Sequence, residues 1–295
     1  MQFQSLWELT EYMMRDKYLV SDAKFEEVLD KRRIYKPGEI SETTGLQKQP
    51  DGSWAEPRRT QPTRQLRSEG NAVEPATKTS LTKEQKSKTK EVETRINSSG
   101  WFKNESKLDG IHPESAANIE KQCERLFNEF PAMKGFVEGI KVGTLDNKTF
   151  AMCEATGESA YIVFNDTFFS DNEKLKQSYK ETVDANYHPA GTDEESLTVH
   201  EMAHCMCDFL SQKYGVDFDD FCRALVEAAE DEYRKSNTEF NIKKELGRYC
   251  TDAAACPDEN IRNAELIADA YAEYKCSKTP RRLATFIGKS LEGAF

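Results

Sequence analysis

Apolar positions recur at helical spacing near the start of the chain. Leu6, Leu9, Met13 and Met14, then Phe25, Val28 and Leu29, predict helix over 3–34. Pro37-Gly38 interrupts that run. The Asp51-Gly52 pair, between Thr44-Gly45-Leu46 and Trp54, predicts a small hairpin within 44–57. From 57 to 90 large apolar residues almost vanish, and patterning resumes near Trp101-Phe102. Asp109-Gly110 and Pro113 open a helix over 114–130 with Ala117, Cys123, Leu126, Phe127 and Phe130 inward, and Pro131 and Gly135 end it. Strands are expected at 136–142, 150–154 and 160–165. The last, Ala-Tyr-Ile-Val-Phe-Asn, carries the strongest strand signal in the chain. A helix near 171–183 precedes a longer one, whose start is signalled by Thr192 and Glu195 at capping-box spacing. Leu197, Val199, Ala203, Met206 and Leu210 give this longer helix an apolar face, and Gly215 closes it. Further helices are expected at 217–235, 259–276 and 280–291, and no internal repeat is visible.

These elements predict an α+β protein. A helical segment over 1–40 leads through a linker over 41–100, mostly without structure apart from the hairpin, into one domain over 101–295. Composition agrees with a solvated stretch, because charged residues reach 32% and the hydrophobic set only 37%. Residues 57–90 hold nine Lys/Arg against three Glu, a net +6, which leaves −17 on the remainder of a chain of net charge −11. That acidic balance argues against nucleic acid as the main partner. No apolar run approaches the ~20 residues that span a bilayer. The N-terminus lacks a basic start followed by an apolar block, so neither a membrane partner nor a signal peptide is expected. Eight cysteines at irregular spacing then predict reduced thiols in a cytoplasmic setting.

The chemistry concentrates in His200-Glu201-Met202-Ala203-His204. The chain has only four histidines, and two of them stand four apart here. On a helix such residues share a face, so both imidazoles can hold one Zn²⁺, and the intervening Glu201 is placed to take a proton from water. A catalytic zinc needs a third protein ligand, and no histidine follows position 204. Glu265, on the otherwise apolar stretch 263–271, is the best candidate, since an unpaired carboxylate there would be costly to bury. Glu227, Glu230 and Glu273 are runners-up. Asp269, one turn beyond Glu265, can accept from a ligand histidine and fix its tautomer. Cys207, one turn after His204, reads as a packing residue rather than a ligand.

With the His-Glu-x-x-His pair and a downstream Glu followed four residues later by Asp, residues 100–295 resemble the gluzincin metallopeptidases. The closest likeness is to the compact kind, typified by the catalytic domain of anthrax lethal factor and by zinc peptidases encoded by phages and mobile elements near head-morphogenesis genes. The resemblance implies a zincin-like fold, with a small mixed sheet packed on the zinc-binding helix and a helical subdomain after it. It implies a zinc-dependent endopeptidase acting on protein or peptide substrates. Gly247-Arg248-Tyr249-Cys250 is similar to the family's tyrosine-bearing segment, which gives Tyr249 the part of oxyanion donor. His188, Tyr271 and Tyr274 stay open as alternatives, because the stretch 251–264 between Tyr249 and Glu265 is longer than in those relatives. Strand 160–165 is expected as an exposed edge above the metal, binding an extended substrate through Tyr161, Val163 and Asn165. Two other functions fit the same features: a non-catalytic phage head or assembly protein that uses the zinc fold as a scaffold, and a toxin-like effector.

Overall fold

The structure is a computed structural model. It describes residues 47–48, 54–55, 64–69, 78–155, 160–236, 246–251, 256 and 258–295, the strands before residue 70 by backbone alone apart from Leu66. The helix expected over 3–34 lies outside the described residues. The chain divides at Gln61/Pro62 into two compact units. In the first, β1 (Gln47–Lys48) pairs antiparallel with β2 (Trp54–Ala55), at the place where Asp51-Gly52 predicts a hairpin.

The second unit begins with β3 (Arg64–Glu69), α1 (Lys83–Ser98) and α2 (Pro113–Glu129), followed by β4 (Val137–Gly143), β5 (Thr149–Ala155) and β6 (Ala160–Asn165). Helices α3 (Asp166–Phe169), α4 (Asn172–Asp184), α5 (Ser196–Tyr214), α6 (Phe218–Ser236), α7 (Arg248–Thr251), α8 (Glu259–Cys276) and α9 (Arg282–Gly293) complete it. It is an α+β arrangement with one mixed four-stranded sheet, ordered β3-β5-β6-β4. Strands β4 and β6 run parallel, and β5 is antiparallel to both β6 and β3.

Sequence and structure part at three places. First, the stretch expected to be an unstructured linker contains β3 and α1. Helix α1 is sparse in apolar residues but places Val92 and Ile96 one turn apart, and both are buried. Thr82 and Gln85 form a reciprocal capping box at its start. Glu93, 2% exposed, pairs with Lys90 and accepts from the Leu108 amide at 2.9 Å. The domain therefore starts well before residue 101.

Second, β6 is a central strand rather than an exposed edge. It is hydrogen-bonded on both sides, which leaves no edge for a peptide. A continuous apolar run marks a strand covered on both faces, so the strongest strand signal belonged in the middle of the sheet. The three residues assigned to substrate binding are placed accordingly. Cys153 reaches α5 with its Sγ 3.7 Å from that of Cys205, and its register partner Ile162 shares that face. Alternation along β6 therefore turns Tyr161 and Val163 to the opposite side of the sheet from the metal helix. There the Tyr161 ring lies under Lys141 Nζ at 3.3 Å. Asn165 is buried and has a structural task. It caps α3 through the Thr167 amide and binds the β4–β5 turn through the Leu145 amide and the Asp146 and Thr149 carbonyls.

Third, the capping box expected from Thr192 and Glu195 does not form. The Thr192 hydroxyl instead donates to the Pro189 carbonyl at 2.7 Å and meets Tyr179 Oη, while Glu195 takes Lys121 and Gln122 from α2. Helix α5 then begins at Ser196 and ends at Gly215, whose φ of 68° suits a residue without a Cβ. Every residue from Ser196 to Asp208 is buried, because α5 packs on β3, β5 and β6 on one side and on α2, α6 and α8 on others.

Candidate metal centre

Helix α5 presents His200 and His204 one turn apart, and α8, packed along it, presents Glu265 and Asp269 one turn apart. The helices meet so that His200 Nε2 is 3.1 Å from His204 Nε2 and 3.0 Å from Glu265 Oε2, while His204 Nε2 is 3.5 Å from the same oxygen. These three atoms are the one cluster of potential metal ligands found among the described residues. All three residues are at most 2% exposed. Cys207 is buried but lies outside the cluster, as its reading as a packing residue expects.

His200 Nδ1 donates to Asp269 Oδ1 at 3.0 Å. A neutral His200 held in that tautomer turns the lone pair of Nε2 toward the Glu265 carboxylate, so two acceptors face each other across 3.0 Å. That contact is favourable only with a cation between them, either a second proton or a metal ion. Ligand atoms arranged tetrahedrally at about 2.0–2.1 Å from a metal stand about 3.3 Å apart, which is close to the three separations here. The group could hold a metal ion. His204 Nδ1, in contrast, is buried with no hydrogen-bond partner.

Charge follows the same logic. Burial opposes a positive His200, but the hydrogen bonds and charges of Asp269 and Glu265 override it and hold the imidazole pKa well above its ordinary value. Burial also opposes ionised Glu265, and His204 and His200 nevertheless bring its carboxyl below the usual range. Asp269 is drawn down in the same way, by His188 and His200 against burial.

His188 enters from the loop before α5, 1% exposed, with Nδ1 3.7 Å from Asp269 Oδ1 and Nε2 buried without a partner. Its ring stacks on Tyr179 at 5.1 Å. The loop is braced by α7, since the Arg248 and Tyr249 amides donate to the Asn186 and Tyr187 carbonyls at 2.8 and 3.1 Å. The approach requires a glycine at 247, where a Cβ would stand 2.4 Å from the Tyr187 oxygen. Tyr249 is buried in this junction, its ring centroid 6.1 Å from that of His188.

Of the candidates for an oxyanion donor, the fold thus gathers Tyr249 and His188 near Asp269. It turns Tyr271 and Tyr274 away, to hydroxyl contacts with Glu292 of α9 at 3.5 and 3.4 Å. The acidic runners-up are also engaged elsewhere or exposed. Glu273 binds Arg281, Glu230 binds Arg234, and Glu227 lies at the surface. Cys250, beside Tyr249, was not anticipated. Its thiol is buried, donates to the Gly247 carbonyl at 3.4 Å, and is pushed well above its ordinary pKa, chiefly by desolvation and then by Asp269.

Fold and site together define an α+β protein with a buried His-His-Glu centre suited to a metal ion. Comparison of the chain with protein-family models, with curated proteins and with solved structures gives no match.

Proposed function

We propose that the chain is a zinc-dependent endopeptidase of the gluzincin type, with a zincin-like pairing of α5 and the sheet. The observation that carries this reading is the convergence of His200, His204 and Glu265 on one point, with Glu201 on the same turn of helix as the first ligand. Two imidazoles and one carboxylate are a donor set that suits zinc and leaves a fourth position for chemistry. Zinc held there supplies Lewis acidity, polarising a scissile carbonyl and acidifying water. Glu201 accepts the proton of the attacking water and returns it to the leaving amine. Asp269 holds His200 in the tautomer that offers Nε2 inward. Tyr249 is the donor proposed for the developing oxyanion, with His188 beside it as the second group that has a ring nitrogen to spare.

Glu201→Gln tests the reading. The variant keeps one zinc per chain by elemental analysis, while cleavage of a proteome-derived peptide library, read by mass spectrometry, falls by about 10²–10⁴-fold. Equal cleavage by variant and wild type would remove the peptidase assignment.

One observation favours a second reading, a non-catalytic scaffold such as a phage-type assembly protein. Glu201, His204 and Glu265 are all 0% exposed, as expected of a closed structural metal site. In that case Glu201→Gln leaves the biological function of the chain untouched.

A further inference from the structure

The burial of the candidate centre and the origin of strand β3 bear on each other. β3 is the outermost strand, pairing with β5 through Arg64↔Ala155, Gln65↔Glu154, Leu66↔Cys153, Arg67↔Met152 and Ser68↔Ala151. It packs against both α5 and α8, the two helices that carry the three potential ligands. Without it, β5 is the edge of the sheet beside the metal helix.

β3 differs from a core strand in sequence. A strand with one buried face needs apolar residues at alternate positions. Arg64-Gln65-Leu66-Arg67-Ser68-Glu69 has a single one, Leu66, and that residue is 0% exposed. Its register partner Cys153 faces α5, so Leu66 is anchored on the side of the sheet where the centre lies. Main-chain pairing of this kind with β5 is how an extended peptide binds a sheet edge. Charge favours docking in cis, because the stretch 57–90 is net +6 against −17 for the remainder.

We propose that the outer edge of β5 is the peptide-docking strand of this protein, and that residues 64–69 occupy it as a resident, displaceable pseudosubstrate that blocks the centre. The preferred incoming ligand is then an extended peptide with one apolar residue among polar and basic neighbours, as in Arg-Gln-Leu-Arg-Ser. This rests on the peptidase reading for its consequence in catalysis, but occupancy of the edge can be measured without any catalysis.

The experiment is amide hydrogen exchange on the full zinc-loaded chain, combined with peptide binding. In wild type, residues 64–69 exchange at least about tenfold faster than 160–165 and α5, through local opening of the edge. In Leu66→Asp, 64–69 lose protection while α5 and α8 keep theirs. A fluorescent peptide with the sequence of residues 62–71 then binds the variant at least about tenfold more tightly than wild type by anisotropy. If wild-type 64–69 exchange only together with α5 in global unfolding, β3 is an integral strand and the proposal fails. It fails equally if Leu66→Asp strips protection from α5 and α8, or if the folded variant does not bind the peptide. Peptide binding by a variant that, like wild type, cleaves no library peptide sinks the peptidase reading and leaves the docking edge standing.

Discussion

Asp269 accepts from His200 Nδ1 at 3.0 Å and lies 3.7 Å from His188 Nδ1, so one buried carboxylate orients a candidate ligand imidazole and steadies the loop beside it. Removing such an orienting group costs about 10–100-fold in metal affinity. Asp269→Ala is expected to weaken zinc binding by that factor, and Glu265→Ala by more, since it removes a ligand atom. Competition against a chromophoric chelator measures both, and unchanged affinity in Glu265→Ala means that a different residue closes the site. This scale was the most legible in the sequence. Spacing alone singled out His200, Glu201 and His204, and a carboxylate set among apolar neighbours singled out Glu265. His188 and Cys250 were harder to place, because they reach Asp269 through the α7 junction, a contact between loops that no periodicity encodes.

Helix α1 shows what composition conceals at the scale of one element. Its mostly polar surface made the stretch read as linker, yet the Thr82–Gln85 capping box and the Val92/Ile96 pair were present in the sequence. Glu93 ties α1 to the rest of the unit through Lys90 and the Leu108 amide. Burial pushes its carboxyl pKa up, but these partners outweigh burial and hold it below the ordinary value. A carboxyl lowered on folding adds stability that is complete above the unfolded glutamate pKa and disappears as pH falls through the folded one. Glu93→Gln is therefore expected to lose about 1–2 kcal/mol at neutral pH. The gap between variant and wild type should close on acidification below the ordinary glutamate range, as followed by urea melts across pH. A constant gap would mean that Glu93 acts by shape rather than by charge. Strand β3 was less legible than α1. Its sequence holds one apolar residue, Leu66, so its partner strand had to be known before the segment could be recognised.

Across the whole molecule, the His-His-Glu cluster joins α5 to α8, and α8 in turn packs on α6 and α9. A metal bound there and not to the unfolded chain adds about 4 kcal/mol at a thousandfold excess over Kd. At about 2–4 °C per kcal/mol for a unit of this size, stripping it with a chelator is expected to lower Tm by roughly 10 °C. Calorimetry with and without chelator, followed by zinc add-back, checks this, and an unshifted Tm argues against a metal linking the two helices. Among the described residues no helix is long and apolar enough to cross a membrane, and all eight cysteines are free thiols. The helices expected near 114–130, 171–183, 217–235, 259–276 and 280–291 and the strands expected at 136–142, 150–154 and 160–165 are present to within a few residues, whereas α1, α3 and α7 were not expected. Strand order did not follow from the sequence pattern, because alternation reports which face is covered and not which neighbour lies alongside.

The ligand atoms of His200 and Glu265 are separated by 65 positions along the chain. While the polypeptide is being made, both imidazoles leave the ribosome long before the carboxylate that closes the triangle. Until α8 has emerged and docked, the nascent protein would offer a cation only two of the three candidate atoms. Three-point capture of a metal ion would therefore have to wait for Glu265, and a chain cut short before that residue would lack the His-His-Glu cluster.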